Sequence, residues 1–343
     1  MIKLFIFPEI VNSNNDNLCP LVKMLTTEQN DLEYYYKIVS NVSDCDYILN
    51  PEIINKHFKK SSGTSIKKII ENSINANKKV ICFTSGDFGK SIISNQIIML
   101  RMGGFKSKMK TENFISAYVS DPYLILNQPF SAIKKLERPT VGFVGNSDGS
   151  FVKLMKEFLL FLKKNSLVFL GKEYHDYQKF YPSSYFRYKY LKIIQKEKNI
   201  NSDFIFRKKY SAGAKNEITK LETSIEFFNN IKNNMYTFCL RGSGNFSIRF
   251  YETLAMGRIP ILIDTDCKLP FEDSIKWNNH AVIIPEIHYK SIVNRLLEFH
   301  NSHSETELVQ MQKNNRNLWE SYFTRNNFYV QLATSLEKPI NTN

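Results

Sequence analysis

The chain has 343 residues, 43% hydrophobic and 23% charged, with a formal net charge of +13. This balance excludes a disordered chain, and the length suits two cores better than one. The positive field favours polyanionic partners such as nucleotide diphosphates, acidic glycans or anionic membrane surfaces; with no RNA-binding signature and no zinc-finger spacing, nucleic acid is not expected.

In the first part, strands are predicted at Lys3 to Phe7, Tyr47 to Leu49 and Lys79 to Phe83, with a shorter one around Ile97 to Met102. A helix is predicted near Thr64 to Ala76. The segment Leu136-Glu137-Arg138-Pro139-Thr140 reads as a linker, because Pro139 disfavours a helix running through it. A fresh strand follows, Thr140 to Val144, then the loop Gly145-Asn146-Ser147-Asp148-Gly149, a helix from Ser150 to Lys164 and a strand from Leu167 to Leu170. Further strands are expected near Phe204 to Phe206, Tyr236 to Leu240, Ile259 to Ile263 and Ala281 to Ile284. Helices are expected at Glu217 to Asn230, Ser247 to Met256, Tyr289 to Asn301 and across much of Glu305 to Leu336. Short apolar runs alternating with helical patterns indicate parallel-sheet α/β architecture. The economical model is two Rossmann-like domains, 1–137 and 138–325, facing a central cleft, with a C-terminal helix or tail at 326–343 that packs back on the first domain.

Cys45, Cys82 and Cys239 lie in or beside apolar runs and no CxxC occurs, so buried thiols in a reducing compartment are expected. The apolar run Leu4 to Phe7 stops at Pro8-Glu9, too short for a signal peptide, and nothing approaches the roughly 18 apolar residues that span a bilayer. The expectation is a cytoplasmic protein, with peripheral contact at the inner face of an anionic membrane. The six histidines form no metal-ligand spacing, so no metal site is expected.

The most informative stretch runs from Tyr236 to Ile263. A buried strand runs from Tyr236 to Leu240, Gly242 and Gly244 give a loop that a ligand can approach closely, and Ser247 is placed to N-cap the next helix. Unpaired N–H groups and the positive helix end make an anion site there, flanked by Arg241 and Arg249. Glu252 lies three residues beyond Arg249 on the same helical face, suited to accept ribose hydroxyls. The plainer alternative is a surface ion pair between Arg249 and Glu252, with Arg241 capping a neighbouring carbonyl.

This segment resembles the C-terminal core of the exostosin-like glycosyltransferases, family 47, in their soluble bacterial or viral-type form. The matching residues are Phe238-Cys239-Leu240-Arg241-Gly242, Asn245-Phe246-Ser247-Ile248-Arg249-Phe250-Tyr251-Glu252 and Gly257-Arg258-Ile259-Pro260. The likeness continues through Asp264 to Phe271, Trp277 and Val282 to Glu286, with Arg207, Tyr210, Gly213 and Val141 to Gly145 matching more loosely. The resemblance implies a GT-B fold and an inverting transferase of hexosyl or pentosyl groups, with no obligatory metal and no cofactor beyond the nucleotide diphosphate sugar, UDP-linked by expectation. It also implies an oligosaccharide or glycolipid acceptor and a role in surface polysaccharide synthesis. The donor site it implies comprises Arg241, Gly242, Asn245, Ser247, Arg249, Glu252 and Arg207. The one near-match to a DxD metal triplet, Asp264-Thr265-Asp266, lies just after a strand in the family's own pattern.

Inversion needs a base for the acceptor hydroxyl at the cleft edge of the first domain. Asp87, between two glycines after a buried strand, is the first candidate, Asp121 the second and Glu9 the third; Asp87 reads equally well as the cap of a following helix. Gly89-Lys90-Ser91 ends like a Walker A loop, but Thr84 stands where its glycine belongs. A phosphotransferase or NTPase using Lys90 is therefore one rival reading, and a non-catalytic nucleotide- or glycan-binding protein is another.

Overall fold

A computed structural model describes residues 1–6, 18–55, 66–109, 112–208, 213 and 216–337. The described residues form two parallel sheets. The first is built from β1 (Ile2–Phe5), β2 (Tyr36–Val39), β3 (Tyr47–Ile53), β4 (Lys79–Thr84), β5 (Ile97–Arg101) and β6 (Asn113–Ile115), in the spatial order β2-β1-β3-β4-β5-β6. Its central strands are buried on both faces, which is why β4 and β5 read as continuous apolar runs rather than alternating ones. Helices α1 (Pro20–Thr27), α2 (Ile66–Ala76) and α3 (Pro122–Leu126) accompany this part of the chain. Strand β2 and helix α1 are absent from the sequence reading, because four residues without alternating burial and one eight-residue helix carry weak periodic signals.

The second sheet contains β7 (Thr140–Asn146), β8 (Asn201–Arg207), β9 (Tyr236–Cys239), β10 (Ile259–Asp264) and β11 (Val282–Pro285), in the order β11-β10-β9-β7-β8. Its helices are α4 (Phe151–Phe169), α5 (Ser183–Gln195), α6 (Glu217–Asn233), α7 (Ile248–Ala255) and α8 (Ile292–Ser302). Two more follow, α9 (Glu305–Tyr322) and α10 (Arg325–Glu337). Capping boxes start α6 at Asn216 with Thr219 and α9 at Ser304 with Glu307.

Both sheets share one winding: the first strand sits second from one edge, beside the second, and the later strands run off the other side. Two parallel α/β units of this kind, contributing loops to one cleft, make the GT-B arrangement. Such a winding reverses direction between its first and third strands, and ligands in open α/β sheets bind outside the carboxyl ends of the strands at that reversal. In the second sheet the reversal lies between β7 and β9.

The expected strand Leu167 to Leu170 does not form. Residues 167–169 continue α4 to Phe169, and Leu170 is its C-cap. A short apolar run cannot be told from a helix end by periodicity alone.

The C-terminal helix α10 contributes Phe328, Leu332 and Leu336 to the same apolar cluster as Ile2, Leu4 and Ile81 of the first sheet. The hydroxyl of Tyr36 donates to Tyr329 O at 2.6 Å and that of Tyr47 to Leu336 O at 3.0 Å. Helix α10 thus packs back on the first sheet. All five cysteines are free thiols, four of them buried. Among the described residues no helix is long and apolar enough to cross a membrane.

Candidate active site

A cavity of about 700 Å³ opens at the carboxyl ends of β7 and β9, within the usual size of a ligand site. Val144, Gly145, Asn146 and Leu240 line its floor, α7 enters by its N-terminus, and Asp87 and Phe88 close one side from the first sheet. Apposition of the two halves is tight at Gly244. A side-chain carbon there would lie 1.9 Å from the Asp87 carbonyl oxygen, so only glycine fits.

Arg249 reaches into this cavity from the first turn of α7. Its guanidinium donates to Val144 O at 2.6 Å and lies 4.2 Å from the Phe143 ring centroid. Gly145 makes the space: a side chain there would come within 2.7 Å of the guanidinium. Ser247 occupies the N-cap position, yet its hydroxyl makes no capping bond and stands on the cavity wall. Of the first-turn N–H groups of α7, that of Phe250 bonds Ser247 O at 3.1 Å, while those of Ile248 and Arg249 have no intrahelical acceptor, which leaves an anion-seeking helix end at this wall. The Gly242 N–H is not part of it, since it closes the loop onto Phe246 O at 3.2 Å.

A second guanidinium comes from Arg187 of α5, a residue the sequence reading missed. It donates to Arg241 O at 2.9 Å and more weakly to Leu240 O and Asn146 O, both at 3.4 Å. Burial, then the neighbouring charge of Arg249, pulls its pKa down to about 10. Two half-buried cations that repel one another are relieved by an arriving anion. The helix was missed with it, although Phe186, Tyr190, Leu191 and Ile194 stand at helical spacing. That spacing does not show that Arg187 points at β9.

Glu252 stands one turn beyond Arg249 on the cavity wall. Its carboxylate makes no hydrogen bond or ion pair among the described residues. Desolvation raises its pKa to about 7, with Arg249 opposing. The surface ion pair considered as the alternative is therefore not what forms. Glu157 of α4 is a second carboxyl on the wall, also missed: burial raises its pKa, and its Oε2 has no hydrogen-bond partner. As the sole acid of an otherwise apolar and basic helix it carried a readable signal.

Other expected site residues stand elsewhere. Arg241 is buried, donates to Ser243 O at 2.8 Å, and is sandwiched between the rings of Tyr181 at 4.7 Å and Phe105 at 5.2 Å. It braces the glycine loop rather than lining the cavity. Asn245 is 2% exposed. Its amide donates to Gly104 O, Thr265 O and Asp266 O, and its oxygen accepts from the Thr265 hydroxyl. A side chain committed to four partners away from the wall ties the loop to both halves of the molecule and has nothing left for a donor. Arg207 does border the cavity, but its guanidinium is paired with Glu226 and donates to Thr223 O at 3.2 Å.

Asp121 is not placed as a base. It caps α3 by accepting from Tyr123 N at 3.0 Å, and both its oxygens take Arg316, at 2.9 and 2.6 Å. Burial works against its charge, yet these bonds prevail and lower its pKa. Asp87, in contrast, is an exposed residue on the cavity rim, with no hydrogen bond or ion pair of its carboxylate among the described residues. No helix follows it before β5, so the capping alternative falls away. The same absence removes the Walker-type reading, since a phosphate loop needs the helix that follows it. Ser91 is instead tied to Asp176, through its N–H at 2.8 Å and its hydroxyl at 2.6 Å, and buried Arg101 gathers Ser91, Phe88 O and Asp176. Glu9 and Tyr210 lie outside the described residues. Asp264 accepts from Cys267 N at 3.0 Å, and Asp266 holds the backbone and hydroxyl of Ser107.

Comparison with known proteins finds a likeness within the second half of the chain. Residues 162–299 match the exostosin GT47 domain. The Exostosin-1 homolog of Caenorhabditis elegans is 35% identical over 88 residues, 25% of this chain and 22% of that protein. Exostosin-1 of Mus musculus is 32% identical over 90 residues, 26% of this chain and 12% of that one. The chain therefore spans under a quarter of the length of the curated relatives it matches. A solved glycosyltransferase from Rickettsia africae ESF-5 covers 98% of both chains at 11% identity and a TM-score of 0.37, a likeness too distant to speak of chemistry. The chain is exostosin-like in the part that carries Arg187, Arg249 and Glu252.

Proposed function

From an exostosin-like second half bearing this cavity, we propose that the protein is an inverting glycosyltransferase that moves a sugar from a nucleotide diphosphate donor to a glycan or glycoconjugate hydroxyl. The observation that carries the reading is the pair of guanidiniums, Arg187 and Arg249, brought together at the β7–β9 reversal beside the opening turn of α7. The donor diphosphate sits against these two cations and the first-turn N–H groups, with the Ser247 hydroxyl as a further donor of hydrogen bonds. As the bond from the anomeric carbon to the diphosphate oxygen breaks, the electron pair leaves with the nucleotide, and its growing charge meets cations already in place. Glu252, as the carboxylate, accepts the ribose hydroxyls.

The acceptor oxygen forms its bond to the anomeric carbon from the opposite face, while its proton passes to Asp87. With two guanidiniums on the diphosphate, no metal enters this scheme. UDP is the nucleotide we favour, and synthesis of a surface polysaccharide the setting; both are inherited from the exostosin-like sequence rather than from the cavity.

The test is a melting-temperature panel of nucleoside diphosphates and nucleotide sugars, with and without EDTA, followed by an assay for nucleotide release. The expected result is stabilisation by one nucleoside diphosphate, unchanged by EDTA and absent in Arg249→Ala, with slow donor hydrolysis or transfer. Stabilisation by ATP with magnesium alone overturns the reading, and donor binding with neither hydrolysis nor transfer makes the protein a binding module.

A further inference from the structure

Helix α4 runs for 19 residues and buries none of them. One wall of it faces the cavity through Lys153, Glu157, Phe161 and Lys164. The other wall faces outward and, apart from the exposed Ser166, is apolar: Val152, Leu159 and Phe169 are 63%, 60% and 80% exposed, with Met155 and Leu162 between them at 39% and 43%. At 100° per residue these five side chains fall on a single arc of the helix, together with the exposed Phe151 and Leu170 at its two ends. Lys156 and Lys163 lie along one flank of that arc and are exposed. The helix has one acid, Glu157, and it belongs to the cavity wall. Beyond the C-terminus of the helix, Lys172 and Lys179 are exposed as well.

Surface helices of globular proteins turn polar residues outward; this one turns out an apolar stripe edged only with lysine, the pattern of a helix lying in a membrane interface. Charge decides between occupants. A second copy presenting the same face would bring lysine to lysine with no carboxylate to answer. An anionic bilayer accepts the apolar side chains below its headgroups and the ammonium groups among them. We propose that the outward face of α4 docks the protein on an anionic lipid bilayer. Because the opposite wall of the same helix lines the cavity, docking holds that cavity within about one helix diameter, ~10 Å, of the headgroups. The docking itself does not depend on the transferase reading.

Flotation of the full chain with phosphatidylcholine vesicles, with and without phosphatidylglycerol, tests this. The wild type should float with the anionic vesicles only, and less as salt rises. The double variant Leu159→Glu, Leu162→Glu should lose bound fraction by about tenfold or more, while melting like the wild type, since both positions are exposed. Lys156→Glu with Lys163→Glu should weaken flotation in the same direction. No flotation of the wild type, or equal flotation of the leucine variant, refutes the proposal. A concentration-dependent dimer that the leucine variant dissolves, without flotation, overturns it in favour of a second copy. Nucleotide-induced stabilisation, read on the same samples, keeps a failure of docking separate from a failure of the donor site.

Discussion

Replacing Glu252 by glutamine tests the electrostatics of the cavity through stability alone. The folded protein holds this carboxyl's proton up to about pH 7, whereas the ordinary glutamate value is 4.5. Between those values the native state binds more protons than the unfolded chain, so stability from this group falls as pH rises. The penalty is absent below about pH 4.5 and complete above about pH 7. At about 1.4 kcal/mol per unit, the displacement amounts to a cost of order 3 kcal/mol at pH 8. A neutral amide in its place does not titrate and carries no such penalty. Urea unfolding of both proteins at pH steps from 4.5 to 8, without ligand, should show the variant gaining stability over the wild type by that amount. Other titrating groups cancel in the difference. If ribose hydroxyls hydrogen-bond the carboxylate, nucleotide affinity in the wild type should also rise from pH 6 to 8, and the variant should flatten that rise. A stability difference constant across the whole range refutes the reasoning, since it means water reaches the carboxyl in the folded state.

Two further substitutions separate chemistry from architecture. Asp87→Asn should lower kcat by about 10²–10⁴-fold and leave nucleotide-induced stabilisation intact. An unchanged kcat removes Asp87 as the base, and a parallel loss of donor affinity places it in the donor site instead. Asn245→Ala, which strips hydrogen bonds from two buried carbonyl oxygens, the half-buried one of Asp266 and the Thr265 hydroxyl, should destabilise the fold by about 2–3 kcal/mol. A loss below about 0.5 kcal/mol in urea unfolding would show that this knot does not hold the two halves together.

The stretch from Tyr236 to Ile263 shows how far reading from residues alone reaches. Its strand, glycine loop, helix and second strand all form close to the expected limits, because buried parallel strands and an amphipathic helix leave period and composition signals in one dimension. Arg249, Ser247 and Glu252 do stand on one wall, since a helix carries its own side chains at fixed angles. Within the same motif Asn245, Arg241 and Arg258 serve the fold: Arg258 is 1% exposed and donates to the carbonyl oxygens of Lys232, Ser131, Met256 and Gly257. A recurring polar residue in a motif reports constraint, and buried hydrogen-bond networks constrain a position as firmly as a ligand does.

The linear sequence by itself determined the α/β class, the alternation that yields two parallel sheets, and the loop and helix at which an anion site would form. Only the tertiary structure decided which cations meet there. Arg187 arrives from a separate helix and Asp87 from the other sheet, and Arg316 takes Asp121 out of contention from far along the chain. Backbone elements follow from local pattern, but the direction and partners of a side chain depend on what packs against it. Those neighbours are chosen by the closure of the fold, which no local window of residues contains.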